Sequence, residues 1–423
     1  VVFIGILAIP YFITRLIREK GFGQRLKQSF GFLPYEALVP VMQKECIWLH
    51  AASVGEIVAA SPIIKEIRCQ FPGKPILVSV VTANGYAMAK RIITDADSII
   101  FFPIDLPGIS YYVVKRIRPS IFLMVETELW PNFLKAARHF SIPVMMVNGR
   151  ISDKSVRRYR YLHTVLQDML DTVNIFCMQS TIDAQYIVHL GADPKRVFVT
   201  GNTKFDQNYT NVSQVEQQVI VEQMGFTHDA LILVAGSTHK GEEEILFAAF
   251  KKVRESFPQV KLIIAPRDIM RVEELTYLAA SFGLVAKSRT LLLEKLSNQH
   301  DVVLLDTIGE LGKIYSVGTI IYVGGSLVAQ GGHNILEPAA HGKPILVGPH
   351  MFNFKDTYAL FNNRKACITV DNAKTLAENT LYILNNELVQ QRMSQETLAI
   401  INENRGAAYK SMAYLQEILD GQI

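Results

Sequence analysis

From about residue 40 onward the chain alternates short apolar runs with amphipathic stretches of helical length, and this alternation constrains the fold more than any single motif. An uninterrupted apolar run is a strand buried on both faces, and joining such strands through helices makes them parallel. Runs at 46–49, 76–81, 98–102, 121–125, 144–147, 175–178 and 197–199 predict seven strands of one doubly wound sheet. A second series follows at 230–235, 260–265, 284–287, 302–305, 320–323 and 344–347. Residues 207–228 read as a linker with a polar helix, and 372–419 has helical spacing throughout and reads as a closing tail. The expected fold is α/β, with two Rossmann-like domains over 31–206 and 229–423 facing a central cleft.

Charge is concentrated rather than spread. The chain carries 43 Lys and Arg against 39 Asp and Glu, yet Arg15, Arg18, Lys20, Arg25 and Lys27 meet only Glu19 within residues 1–30, leaving the rest balanced at 38 of each sign. A balanced body in which 49% of residues are hydrophobic is neither disordered nor a nucleic-acid coat. The basic cluster follows the uncharged run 1–14, the reverse of the order in a secretory signal. That run is shorter than the roughly 20 apolar residues that cross a bilayer. Residues 1–30 are therefore read as the end of a membrane anchor that starts upstream, with a basic flank holding the body in the cytoplasm; a buried core helix is the alternative. Cys46, Cys69, Cys177 and Cys367 form no CxxC pair, as expected in a reducing compartment, and the ten histidines form no HExxH zinc motif.

In doubly wound sheets ligands bind beyond the carboxyl ends of the strands, so chemistry is sought there. The first run leads into His50-Ala-Ala-Ser53-Val-Gly55-Glu56. Ser53 and Glu56 have capping-box spacing, and the same carboxylate could take a proton from a substrate hydroxyl if desolvation offsets the helix amides. The fourth run ends in Glu126-Thr127-Glu128-Leu129-Trp130-Pro131. Alternation points both carboxylates one way, while Pro131 marks a helix start for which Glu128 would be a favourable acid. Asn148-Gly149-Arg150 and then Arg157, Arg158 and Arg160 follow the fifth run, suiting an anionic substrate or a solvated helix face. Lys204 follows the last run of this half, where it could neutralise a phosphate or carboxylate or simply lie at the surface.

The second half offers small-residue loops: Gly236-Ser237-Thr238-His239-Lys240-Gly241 with Glu242-Glu243-Glu244, Pro266-Arg267-Asp268, Gly309-Glu310-Leu311-Gly312, Gly324-Gly325-Ser326, and Gly331-Gly332-His333 with Asn334 to Glu337. Such loops leave backbone amides to meet an anion, although each glycine pair also suits a plain turn. Asn334 and Glu337, one helical turn apart, suit ribose hydroxyls or a base edge. The absence of GxxxxGK[ST] excludes a P-loop NTPase, and no GxGxxG follows the first strand of either half, which disfavours nicotinamide and flavin enzymes. No DxD-type pair closes a strand end, so the donor phosphate is expected to be handled by amides, Arg and Lys, with no metal and no cofactor.

These segments, taken in order, closely resemble the membrane-anchored transferases of 3-deoxy-D-manno-octulosonic acid (Kdo) to lipid A. The resemblance is carried by the apolar start with its basic flank, ASVGE at 52–56, ETELWP at 126–131, NGRISDKS at 148–155, GNTKFD at 201–206, GSTHKGEEE at 236–244, Pro266-Arg267, and GGHNILEPAAHGKPILVGP at 331–349. It implies the two-domain glycosyltransferase B fold, with Glu56 as general base and Glu126 and Lys204 stabilising the transition state. Pro266, Arg267, Gly309, Glu310, Leu311, Asn334, Ile335, Leu336 and Glu337 would bind CMP. The implied reaction is an inverting transfer of Kdo from CMP-Kdo to a glucosamine hydroxyl of the lipid A precursor, lipid IVA, on the cytoplasmic face of the inner membrane. Phe22, Leu26, Phe30, Phe32 and Leu33 would then dip into the bilayer interface. The sequence departs from the family at Asp268, where the pattern has His, a change that bears on contacts around the donor phosphate. A UDP-sugar epimerase-like enzyme of the same build and a non-catalytic, membrane-tethered nucleotide-binding module are the alternative readings.

Overall fold

The computed structural model describes residues 22–151, 163–207, 209, 211–294 and 299–422. It divides into two compact units, one built from the described residues up to 207 together with those from Asn404 onward, the other from Tyr209–Glu403.

In the first unit β1 (Ile47–His50), β2 (Ile76–Val80), β3 (Ser98–Phe101), β4 (Ile121–Val125), β5 (Val144–Gly149), β6 (Ile175–Met178) and β7 (Val197–Val199) form one sheet in the order β3-β2-β1-β4-β5-β6-β7. Every pairing is parallel; Ile47 faces Ile76 on one side and Ile121 on the other, which sets β1 at the centre. All residues of β1, β2, β4 and β5 are buried, as apolar strands covered on both faces must be. Alternation sends Trp48, Phe122 and Met146 into one core with Phe133, and Ile47, Leu49 and Leu123 into the other with Ile63 and Ile67 of the helix Val54–Gln70. Trp48 meets Phe122 and Phe133 edge to face at 5.7 and 5.0 Å, and its indole N–H donates to Ser79 Oγ at 2.8 Å.

The second unit repeats the plan with β8 (Ile232–Thr238), β9 (Lys261–Pro266), β10 (Ala286–Ser288), β11 (Val302–Leu304), β12 (Ile320–Val323), β13 (Ile345–Val347) and β14 (Cys367–Thr369), in the order β10-β11-β9-β8-β12-β13-β14 and again all parallel. Close packing at its carboxyl edge requires a glycine: a Cβ on Gly324 would lie 2.4 Å from the Ser237 carbonyl oxygen. Ser237 itself is in the left-handed region with φ 56.

Both sheets match the expected strands to within three residues at their ends, but β14 has no counterpart in the sequence reading because it is three residues long and only Cys367 is buried. The expected division needs correcting at both its boundaries. Within 207–228 the helix Gln214–Gln223 belongs to the second unit, entered through a Ser213–Glu216 capping box and anchored by the buried Val221 and Met224. The tail is three helices, and the last, Ala407–Leu419, joins the first unit. Its stripe of Ala408, Met412, Leu415 and Ile418, spaced by three or four residues, packs into the core that holds Ile63 and Ile67. Residues 1–21 of the expected anchor lie outside the described residues, and among those described no helix is long and apolar enough to cross a membrane. Phe22 and Leu33, expected at a bilayer interface, are buried instead; Phe30 and Phe32 are 46% and 73% exposed.

Candidate active site

Strand order in the first sheet reverses between β1 and β4, and at such a switch the outgoing loops part and open a crevice. Glu56 and Glu126 follow these two strands. Ser53 caps the helix Val54–Gln70 in an extended conformation, its Oγ accepting from the Glu56 amide at 3.5 Å. The Glu56 carboxylate turns back to accept from the Ala52 amide and from Ser53 Oγ, both at 2.7 Å. The capping box therefore closes on the Ala52 amide rather than that of Ser53, and it fixes the carboxylate in one rotamer. Burial, helped by the charge of Glu128, raises Glu56 from the ordinary 4.5 to about 7 despite the two hydrogen bonds that favour its ionised form. A carboxyl poised there is matched to proton abstraction near neutrality.

Glu126 adopts φ 57, a left-handed backbone that costs a non-glycine residue about 1–3 kcal/mol. Its Oε1 lies 3.6 Å from Lys204 Nζ. Lys204 sits on a single 3-10 turn, Thr203–Asp206, that is fastened on three sides. Thr203 donates from Oγ1 to the Ala59 carbonyl at 2.7 Å and from its amide to Asn148 Oδ1 at 3.0 Å. Gln207 Nε2 donates to the Val58 carbonyl at 3.1 Å, and Asp206 accepts from the Gly406 and Ala408 amides at 2.5 and 2.7 Å. Ala59 and Val58 belong to the helix that carries Glu56, so Glu56 and Lys204 share one scaffold.

Three members of this cluster, His50, Glu128 and Asn148, were not assigned a site role from sequence. His50, which ends β1, is fully buried and stacks on Phe102 at 3.9 Å, with Nδ1 2.9 Å from Ser79 Oγ and Nε2 3.8 Å from Glu128 Oε2. Burial lowers its pKa, which keeps the ring neutral near pH 7. Glu128, left open in the sequence between a cleft carboxylate and a helix acid, faces His50 and acts on Glu56. The available signal was a histidine closing an otherwise apolar strand. Asn148, also buried, takes φ 53 to aim its side chain at the lysine turn. Arg157, Arg158 and Arg160 lie outside the described residues.

In the second unit the order switches between β8 and β12. Several of the loop amides expected to meet an anion are already engaged within the protein. The buried Glu242 carboxylate accepts from the amides of His239, Gly325, Ser326 and Leu327 and from the Tyr322 hydroxyl. Its neighbour Glu243 accepts from Thr238 Oγ1 and pairs with Arg271. Pro266 ends β9 and Arg267 follows it at the surface, its amide donating to the Thr238 carbonyl at 2.9 Å. Asp268, at the departure from the family pattern, caps the next turn through the Met270 amide. Gly309 is exposed with φ 97, while Glu310 is held by Thr307 and by Arg289 at 3.3 Å, so its carboxylate is structural. Leu311 starts the helix Leu311–Ile314, and Asn334 Oδ1 accepts from the Leu336 amide ahead of Leu336–Ala340, with Ile335 buried. A Cβ on Gly312 would meet Glu337 Oε1 at 2.9 Å, so these two segments adjoin. Burial raises the Glu337 carboxyl.

Among the described residues no group of three or more His, Cys, Asp or Glu side chains is arranged to hold a metal ion. A cavity of about 530 Å³ in the second unit lies around Ile232, Thr319 and Pro344, at the amino ends of the strands and away from the loops just described.

Two parallel-sheet α/β units with polar loops at both switch points define an enzyme of the glycosyltransferase B type. The same fold recurs in the UDP-GlcNAc 2-epimerase of Neisseria meningitidis bound to UDP-GlcNAc (TM-score 0.61, 14% identity, 88% of this chain and 99% of that one) and in a glycosyltransferase from Rickettsia africae (TM-score 0.57, 14% identity, 89% and 99%). The family model for 3-deoxy-D-manno-octulosonic-acid transferase (kdotransferase) matches residues 24–207. A 3-deoxy-D-manno-octulosonic acid transferase of Haemophilus influenzae is 29% identical over all of this chain and 96% of its own length, and one of Bordetella pertussis 30% identical over 88% and 87%. The chain belongs to the 3-deoxy-D-manno-octulosonic acid transferase family and is a glycosyltransferase.

Proposed function

We propose that the enzyme transfers Kdo from CMP-Kdo to a glucosamine hydroxyl of lipid IVA, with inversion at the anomeric carbon, on the cytoplasmic face of the inner membrane. The observation that carries this reading is Glu56, a buried carboxyl with a pKa of about 7 at the switch point, fixed beside Glu126 and Lys204. Glu56 takes the hydroxyl proton as the acceptor oxygen attacks the anomeric carbon. The bond from that carbon to the phosphate oxygen breaks, and its electron pair leaves with CMP. Cationic character on the sugar favours Glu126, negative charge on the leaving phosphate favours Lys204, and both interactions strengthen as charge develops. CMP is assigned to Pro266-Arg267, the 309–311 turn and 334–337, with Asn334 and the half-buried Glu337 facing ribose hydroxyls. No step is assigned to a metal or cofactor.

The acceptor's acyl chains bring the first unit to a bilayer, with residues 1–30 as the anchor. Support comes from a surface where Phe30 and Phe32 are exposed together with Ile104, Leu106, Tyr111 and Tyr112. The Ile104 amide donates to the Ser29 carbonyl at 2.7 Å, and Gly31 packs on Tyr112, so the two segments adjoin. Mixing the full chain with CMP-Kdo and lipid IVA in vesicles tests the reading: CMP release with a product heavier by whole Kdo residues supports it, and no release refutes it. Competition by UDP rather than CMP would instead favour the epimerase-like alternative.

A further inference from the structure

The loops at the carboxyl edge of the second sheet carry a histidine pair that the chemistry above leaves unused. His239 follows β8 and His333 follows β12, the strands on either side of the switch. Their Nε2 atoms are 2.8 Å apart and their rings within 5° of parallel. At that distance one nitrogen carries a proton and the other a lone pair, so the two rings share one N–H and cannot face each other with two. Both crowd Gly325, where a Cβ would come within 3.0 Å of His333 and 3.3 Å of His239. The amides alongside are engaged: Gly325, Ser326 and Leu327 donate to Glu242, and Gly332 donates to the Gly325 carbonyl. At these positions the amides are taken, and the histidine side chains lie beside them.

We propose that His239 and His333 form one proton-accepting unit for the donor's phosphate, sharing a single N–H between the rings when the site is empty and taking one further proton from solvent when the anion is bound. This rests on reading the second unit as the donor site. The groups facing the pair are Arg267 from the turn after β9 and the buried Glu242 from the turn after β8, while Met351 and Asn353 pack on Gly332 and Gly331 from the segment after β13. Burial lowers His333 to about 4, His239 and Arg267 act the same way, and Glu242 opposes them, so the His333 ring is uncharged at pH 7 when the site is empty. A bound phosphate reverses that balance. During transfer the phosphate passes from a diester with one charge to a monoester with two, and the proton acquired on binding faces the added charge. It returns to solvent when CMP leaves.

Calorimetry on the full chain at pH 7, in buffers of different ionisation enthalpy and with CMP and cytidine as probes, tests this. The wild type is expected to take up about half to one proton more per CMP than His239→Gln or His333→Gln, and each variant to bind CMP about 10- to 100-fold more weakly while cytidine affinity is unchanged. The phosphate's own ionisation, near pH 6, is common to all three proteins and cancels in the difference. Equal uptake and equal CMP affinity in the wild type and His239→Gln would overturn the proposal; because that ring is half-exposed, this variant decides even if His333→Gln fails to fold. Failure of the wild type to bind CMP at all would refute the donor-site reading itself.

Discussion

Replacing Glu56 by Gln should make the first unit more stable at alkaline pH while abolishing transfer, an unusual pairing that separates a catalytic role from a structural one. Gln preserves the local bonds, its carbonyl accepting from the Ala52 amide and its NH₂ donating to Ser53 Oγ. What it removes is the cost of ionising a carboxyl that is only 8% exposed. The group titrates near 4.5 when unfolded and at about 7 when folded, so between those values the folded state holds a proton that the unfolded state releases. Wild-type stability then falls by about 1.4 kcal/mol per pH unit across that window and levels off above pH 7, a total of about 3 kcal/mol. The stabilising contribution of protonated Glu56 is complete below pH 4.5 and lost as pH rises through 7. Urea unfolding followed by tryptophan fluorescence measures this selectively, because the only two tryptophans, Trp48 and Trp130, both lie in the first unit. Wild type and Glu56→Gln should agree to about 1 kcal/mol at pH 5 and differ by about 3 kcal/mol in favour of Gln at pH 8.5. Parallel pH profiles would refute the burial argument, and turnover near the wild-type rate would refute the assignment of Glu56 as base.

Other substitutions probe the surrounding scaffold. Lys204→Met should lower kcat about 100- to 1,000-fold with CMP affinity retained, as for removal of one charge-stabilising group; a change confined to KM would contradict that role. Asp206→Asn leaves the Gly406 and Ala408 amides with a weaker acceptor, and a loss of about 1–3 kcal/mol should appear in tryptophan-monitored urea unfolding of the first unit. In the second unit Glu242→Ala strips the shared acceptor from four buried loop amides and should cost at least about 3 kcal/mol, with CMP binding lost; a stable variant that still binds CMP would show that the loops hold without it. Phe30→Ser with Phe32→Ser should reduce sedimentation with anionic vesicles at least about tenfold without altering CMP affinity.

The sheets could be read in the sequence because parallel strands buried on both faces leave apolar runs that polar loops cannot imitate, and candidate site positions were sought at the strand ends because such sheets place ligands there. What the sequence withheld depended on long-range contacts. The stripe on Ala407–Leu419 announces a buried helix face but not which of two similar sheets it covers; that choice is made by Asp206, which accepts from the Gly406 and Ala408 amides about 200 residues away in the chain. The acidic run Glu242-Glu243-Glu244 was legible only as the end of a small-residue loop, yet two of its members are fully buried, because β12 and Arg271 bring their partners from elsewhere. Glu56 carries the same lesson in the opposite direction. Spacing alone made capping and catalysis rival explanations, but under the proposed role of Glu56 the cap becomes the means of the catalysis: it holds a carboxyl still in a desolvated place, where burial raises its pKa to about 7 despite the hydrogen bonds that would otherwise lower it.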